Sequence, residues 1–411
     1  MKTISPSHIT GTLPAPASKS MMQRAIAIAA LAQGTSILHG YTPSNDSDAA
    51  LAIAHDLGAD VEKAGETITI HGNFSPRTHV LNCGEAGLGI RMFTPIAALW
   101  HSQITLEGEG SLRTRPVETL VQPLRDLGAH IHTNNGFVPV HVQGTLKGGT
   151  AHVEGNLSSQ ILTGLLIASA LAQTDTTFIV NDLKSKPYID MTMQIMHDFG
   201  VEVENDNYER FFVKSGQTYR AQNYNVEGDW SGASFLLVAG ALGGSVTVSN
   251  LRNDSKQADM AIVDALKQAG AHIQWHDDSI TVTKNTLQAF EFNATECPDL
   301  FPPLVALAAH CEGVTTIKGV GRLFHKESNR ACVLQKEFGR LGAKITIDGD
   351  EMLVHGGSLH GGQIHAHNDH RIAMAAACAA ICAKNPVEIE NHECVAKSYP
   401  HFFEDFARIQ G

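Results

Sequence analysis

Several short stretches set ionisable side chains against apolar sequence, and their types suit the handling of anions and protons. Residues 368–371 read Asn-Asp-His-Arg and open the apolar run "RIAMAAACAAI". An arginine offers a planar, two-pronged donor matched to a carboxylate or phosphate, which makes Arg371 the candidate clamp. Asn368 and Asp369 suit a helix N-cap, and His370 is a candidate proton carrier. Lys326, Glu327 and Arg330 cluster in "KESNR", Asp299 follows Pro298, and Arg115 precedes Pro116. Lys19, Ser20 and Arg24 head the run "RAIAIAALAQG". Each has a plainer alternative. Asp299 could be only a helix cap, Arg115 only a loop cation, and Glu327 half of an exposed ion pair worth under about 1 kcal/mol. Tyr188 and Lys186 lie in "KPYID", whose mixed polarity fits a buried turn as well as surface decoration.

The elements that must hold these groups are visible as a repeat. Five stretches, among them "HDLGADVEKAGETITI" and "KQAGAHIQWHDDSITV", each read as a helix end, a glycine, and two alternating strands joined by a turn. Their glycines are Gly58, Gly128, Gly200, Gly270 and Gly342, a period of about 70 residues, each placed to end a helix in the left-handed region. A sixth helix, "HFFEDFARIQG", stops at Gly411 without its strand, and the unpaired N-terminal "MKTISPSHITGTL" is the natural donor. Six further runs, from "RAIAIAALAQG" to "RIAMAAACAAI", are apolar nearly all round and therefore read as buried helices. Their heads are polar and rich in Gly and Ser. Exposed N–H groups and the helix dipole make such heads anion sites, and ordinary capping accounts for any one of them alone.

Composition narrows the classes. At 411 residues the chain exceeds a single core, so two domains are expected. The net charge of −12 argues against nucleic acid as a partner and leaves small anions open. No apolar run reaches membrane-spanning length, and "MKTISPSHIT" lacks the apolar core of an export signal, so a cytoplasmic location and no membrane partner are expected. The seven cysteines lack metal or disulfide spacing and read as free thiols. His365 and His367 could form a small metal site or be surface histidines.

Seven motifs then occur in order: "SKSMMQR" (18–24), "LRTRP" (112–116), "NLSSQILTGLL" (156–166), "SKPYIDMTMQIM" (185–196), "KESNR" (326–330), "NDHRIAM" (368–374) and "AKSYPHFF" (396–403). Together they resemble the motif set of 5-enolpyruvylshikimate-3-phosphate synthase, an enolpyruvyl transferase family. The resemblance implies an α/β (α+β) inside-out, barrel-like fold of six βαβαββ units, three per domain around buried helices. It implies a C-terminal-type domain of residues 1–13 with 227–411, an N-terminal-type domain of 14–226, and an active site in the cleft between them. The implied reaction moves the enolpyruvyl group of phosphoenolpyruvate to the 5-hydroxyl of shikimate 3-phosphate, releasing phosphate, in chorismate and aromatic amino acid biosynthesis. No cofactor or metal is implied, and a monomer acting on two small molecules is expected.

By motif, phosphoenolpyruvate should meet Lys19, Gly87, Arg115, Gln160, Arg330, Arg371 and Lys397. Shikimate 3-phosphate should meet Ser20, Arg24, Ser158, Ser159, Ser185, Tyr188, Asp299 and Lys326. Asp299 is the implied base for the 5-hydroxyl, and Lys19 and Glu327, with His370 nearby, are the implied proton carriers. Two places depart from the pattern. "EAGLGIR" (85–91) has Glu85 and Leu88 where the family usually has Asn and Thr, and Arg322 and Asn329 stand where Asn and Asp are common. These departures sustain one alternative, a ligand-binding homologue with weak or no transferase activity. A second, a transferase acting on UDP-N-acetylglucosamine, shares the implied fold, and "SSQ", "SKPYID" and the absence of a cysteine in the Arg115 loop argue against it.

Overall fold

The computed structural model describes all 411 residues, Met1–Gly411. They divide into a C-terminal unit, Met1–Ser18 with Glu227–Gly411, and an N-terminal unit, Lys19–Val226. Residues 14–18, expected with the N-terminal domain, fall in the C-terminal unit. They are tied there by Ala15 N donating to Ser249 O (2.9 Å) and Ser18 N to Glu227 O (2.8 Å).

Twelve helices run in chain order: α1 (Lys19–Leu31), α2 (Asn45–Asp56), α3 (Gly87–Ala97), α4 (Val121–Asp126), α5 (Gln160–Ser169), α6 (Lys186–Asp198), α7 (Trp230–Gly243), α8 (Ile262–Gln268), α9 (Phe301–Ala308), α10 (Arg330–Arg340), α11 (His370–Ala380) and α12 (Phe402–Ile409). The five periodic glycines all follow an even-numbered helix with positive φ: 116°, 90°, 88°, 94° and 94° in turn. A Cβ-bearing residue there would be strained, and the reversal it permits sends the chain into an antiparallel hairpin each time. Alternation decides which side each strand buries: in Ser279–Thr283 only Ile280 and Val282 are buried.

Each unit carries three small mixed sheets. A typical one orders Gly149–Glu154, Thr176–Asn181, Arg210–Val213 and Glu204–Asp206, with the first pair parallel and the rest antiparallel. The sequence-distant partners close the units. Asn223–Asn225 pairs with Gly34–His39, Ile9–Pro14 with Gly244–Ser249, and Lys2–Ile4 with Val387–Glu390. Lys2–Ile4 thus supplies the third strand of the last sheet, and Gly411 N donates to His8 O (2.9 Å).

The odd-numbered helices form the cores, α1, α3 and α5 in one unit and α7, α9 and α11 in the other. Every residue of α3, α7, α9 and α11 is buried. Burying one Leu, Ile or Phe contributes about 1.5–3 kcal/mol, so these helices anchor both units. Gly164 allows α5 to lie against α3, since a Cβ would stand 2.5 Å from Arg91 O. No helix is long and apolar enough to cross a membrane.

Candidate active-site groups

In the N-terminal unit the polar heads of α1, α3, α5 and α6 carry the expected residues. Arg24 is buried one turn into α1. Its Nε donates to Thr192 Oγ1 (2.9 Å), Nη1 to Ser20 O (2.8 Å), and Nη2 to Thr163 Oγ1 (3.3 Å) and Tyr188 O (3.4 Å). Burial pulls its pKa down to about 10, partly countered by Tyr188. Arg24 therefore joins α1, α5 and α6, and fixes the backbone of Ser20 and Tyr188. Ser185 precedes α6 in a left-handed conformation, φ 57°, and Tyr188 N donates to its carbonyl (3.1 Å). Ser158 Oγ accepts from Gln160 N (3.2 Å), and Ser159 O from Thr163 N (3.0 Å). Lys19 Nζ stands 2.8 Å from Asp46 Oδ2.

A second group gathers at α3. Arg91 repeats the Arg24 arrangement: Nη1 donates to Gly87 O four residues earlier (2.9 Å) and to Gln160 Oε1 (3.2 Å), while Nη2 donates to Pro116 O (2.8 Å). It thereby ties Gly87, Gln160 and the Arg115 loop together. The Arg115 guanidinium lies against Gly87, where a Cβ would come within 2.4 Å of Nη1. Glu85, the departure expected to trouble an anion site, accepts from Ser111 N and Ser111 Oγ, both at 2.8 Å. Neutral loop donors thus take up its charge.

In the C-terminal unit Asp299 lies in a 3-10 turn ahead of α9 and makes no capping bond, so the cap reading fails. Its carboxylate faces cations instead: Lys326 Nζ (3.2 Å) and Arg330 Nη1 (2.8 Å) at Oδ1, and Arg371 Nη2 (3.1 Å) at Oδ2. Burial pushes its pKa up, but Arg371, Lys326 and Arg330 together outweigh that and hold it well below the usual carboxylate range. Burial pulls the Lys326 ammonium below its ordinary value. Arg330 is fully buried. It donates to Asp369 through Nε (2.9 Å) and Nη2 (3.2 Å), and to Glu327 Oε2 through Nη2 (2.6 Å). Glu327 is thus no exposed pair, since its partner is buried.

Asp369 caps α11, accepting from Arg371 N (3.1 Å), while Asn368 takes a left-handed conformation and accepts at its carbonyl from Lys397 Nζ (2.7 Å). Arg371 Nη1 donates to His370 Nε2 (2.6 Å), and Nη2 to Ser231 Oγ (2.7 Å). Arginine can only donate, so His370 Nε2 carries no proton in this arrangement. Asp259, buried beside this group and bonded to Ser231, has its pKa raised to about 7 by burial and by Asp299, with Arg371 opposing.

Twelve of the expected residues gather into three groups: Ser20, Arg24 and Tyr188; Gly87, Arg115 and Gln160; and Asp299, Lys326, Glu327, Arg330, His370 and Arg371. The other five stand beside them with local partners: Lys19 at Asp46, Ser158 and Ser159 ahead of α5, Ser185 ahead of α6, and Lys397 at the Asn368 carbonyl. Thr163, Thr192, Arg91, Ser231 and Asp259 were not among the expected site residues. A hydroxyl within an apolar helix was the available signal for Thr163. His365 and His367 turn to Glu337, and no group of three or more His, Cys, Asp or Glu is placed to hold a metal.

Residues 4–406 match the profile of a family described as EPSP synthase (3-phosphoshikimate 1-carboxyvinyltransferase). A 3-phosphoshikimate 1-carboxyvinyltransferase of Clostridium kluyveri is 36% identical over 416 residues, covering 100% of this chain and 97% of that one. One from Clostridioides difficile is 36% identical over 423 residues, covering 99% and 97%. Among solved structures, an EPSP synthase from Acinetobacter baumannii aligns with TM-score 0.85 and 27% identity over 99% of this chain and 98% of that one. The enolpyruvyl transferase NikO from Streptomyces tendae shares the fold, with TM-score 0.80 at 20% identity over 99% and 96%. Family match, relatives and fold agree along the whole chain: it belongs to the EPSP synthase family.

Proposed function

We propose that the groups described above divide the family's reaction between them, transferring the carboxyvinyl group of phosphoenolpyruvate to the 5-hydroxyl of shikimate 3-phosphate with release of phosphate. The two substrates bring two phosphates and two carboxylates, so cations at fixed positions are the first requirement. Arg115, Arg330, Arg371 and Lys397, with the Gly87 backbone and Gln160, take phosphoenolpyruvate. Ser20, Ser158, Ser159, Ser185, Tyr188 and Lys326 take shikimate 3-phosphate, and Arg24 holds Ser20 and Tyr188 in place for it. Protonation of the methylene carbon makes C2 electrophilic, and the 5-hydroxyl attacks C2 while losing its proton to Asp299. Lys19 and Glu327 give and retrieve the proton at the former methylene carbon, and its retrieval expels phosphate and restores the double bond. His370, its Nε2 occupied by Arg371, orients that arginine.

The observation that carries this reading is the Asp299 carboxylate among Lys326, Arg330 and Arg371. These cations make Asp299 a weak base. Substrate anions compete for Arg371 and Lys326, so its proton affinity rises as the hydroxyl arrives. Seven free cysteines fit the reducing cytoplasm in which we place the reaction. The test is phosphate release from phosphoenolpyruvate and shikimate 3-phosphate by the purified protein. No release with shikimate 3-phosphate, coupled with turnover on UDP-N-acetylglucosamine, would overturn the substrate assignment. No release with either would leave a binding protein.

A further inference from the structure

Arg371 leaves a turn that a free chain would rarely adopt. His367 and Asn368 are consecutive non-glycine residues in the left-handed region, with φ of 54° and 57°. Such pairs persist only where their surroundings over-determine them. Here nearly every backbone group of the turn is held. Glu337, a buried carboxylate on α10, accepts from His365 N (3.0 Å) and lies 2.8 Å from His367 Nε2. His365 Nδ1 accepts from His367 N (2.8 Å), and Asn391 Oδ1 from Asn368 N (2.6 Å). Lys397 holds the Asn368 carbonyl, and Asp369 N donates to Ala366 O (2.9 Å). The next residues are Asp369, which grips Arg330, and Arg371, which grips Asp299.

Glu337 itself is a deliberate anion. Burial would raise its pKa, yet hydrogen bonds from His367 and the His365 backbone, with Arg340 nearby, hold it below the ordinary glutamate value. Arg340 Nη1 stands 3.1 Å away and Lys336 Nζ 3.7 Å. Neither histidine touches the Asp299 cluster, so the arrangement is a support for that cluster.

We propose that Glu337 is a positioning residue: through His365 and His367 its carboxylate sets the turn that aims Asp369 and Arg371. This rests on the assignment of Arg371 to phosphoenolpyruvate. In Glu337→Ala, kcat/KM for phosphoenolpyruvate should fall between 10- and 100-fold, the scale of an ångström-sized misplacement. The Kd for shikimate 3-phosphate should change less than about 2-fold, because the groups assigned to it lie mostly in the N-terminal unit. Glu337→Gln, which keeps an acceptor for His365 N, should recover part of the loss. His367→Ala should act in the same direction, and Glu337→Ala/His367→Ala should be no worse than Glu337→Ala, since both act through one support. Full activity in Glu337→Ala, or additive losses in the double variant, would overturn the proposal. If Glu337→Ala fails to fold, the half-exposed His367→Ala decides alone: unchanged kcat/KM would overturn it. Hydrogen exchange gives a reading independent of substrate. Amides 365–371 should exchange faster in either variant, and unchanged exchange there would also overturn the support, whereas a wild type releasing no phosphate would sink only the functional assignment.

Discussion

Replacing Gly87 by Ala tests the phosphoenolpyruvate half of the site with a single methyl group. Gly87 is the first residue of α3 and has no positive φ, so alanine suits its backbone and removes no hydrogen bond. The added Cβ would lie 2.4, 2.5 and 2.6 Å from Nη1, Cζ and Nη2 of Arg115. Ordinary contact needs ~3.5 Å, so the guanidinium must retreat by about 1 Å. Misplacing a binding group by that much lowers kcat/KM by up to about 100-fold, or about 2.7 kcal/mol of transition-state stabilisation. Folding stability should hold, because the clash is with the far end of a side chain. The assay is phosphate release with phosphoenolpyruvate varied at saturating shikimate 3-phosphate, alongside thermal unfolding. The expected result is a rise in KM for phosphoenolpyruvate, little change in shikimate 3-phosphate affinity, and an unchanged unfolding temperature. A wild-type KM for phosphoenolpyruvate would refute the placement of Arg115, and an equal loss for both substrates would refute its assignment to one of them.

Asp299→Ala should lower kcat by 100-fold or more while leaving phosphoenolpyruvate affinity comparatively intact, read by steady-state phosphate release; unchanged kcat would remove Asp299 from the proton path. Arg24→Lys cannot reach Thr192, Thr163 and both carbonyls at once. It should destabilise the N-terminal unit by about 2–4 kcal/mol, seen as a lower urea midpoint for its transition. Asp259 binds its proton more tightly folded than unfolded, with a pKa raised from 3.8 to about 7. Between those values the unfolded chain has lost the proton and the fold retains it, so this group's contribution to stability falls as pH rises from about 4 to 7 and is level above. Asp259→Asn should flatten that arm of the unfolding-temperature profile, and an unaltered profile would contradict the assignment.

Local rules made much of the fold legible. A helix that must end and reverse within a residue requires glycine, so the period at Gly58, Gly128, Gly200, Gly270 and Gly342 marked every hairpin. Helices apolar all round have no solvent face to offer, which placed α3, α7, α9 and α11 in the cores. The candidate site was legible as residue types at helix heads, and the motifs named most of the side chains that the fold brings together there. Their partners were not legible. Whether Arg24 grips a ligand or Thr192, 168 residues away, depends on which helices meet, and sequence spacing carries no such distance. In the sequence the charge of Glu85 reads as a fault, whereas in the fold Ser111 takes it up, and Asp259 carries no local signal at all. His367 reads in the sequence as a metal ligand or a surface residue, because its partner, Glu337, lies 30 residues earlier on α10. Backbone conformation and burial follow from neighbours along the chain and could be read from it. Pairing, and with it the charge state of each buried group, follows from neighbours in space, and only the tertiary structure decided those.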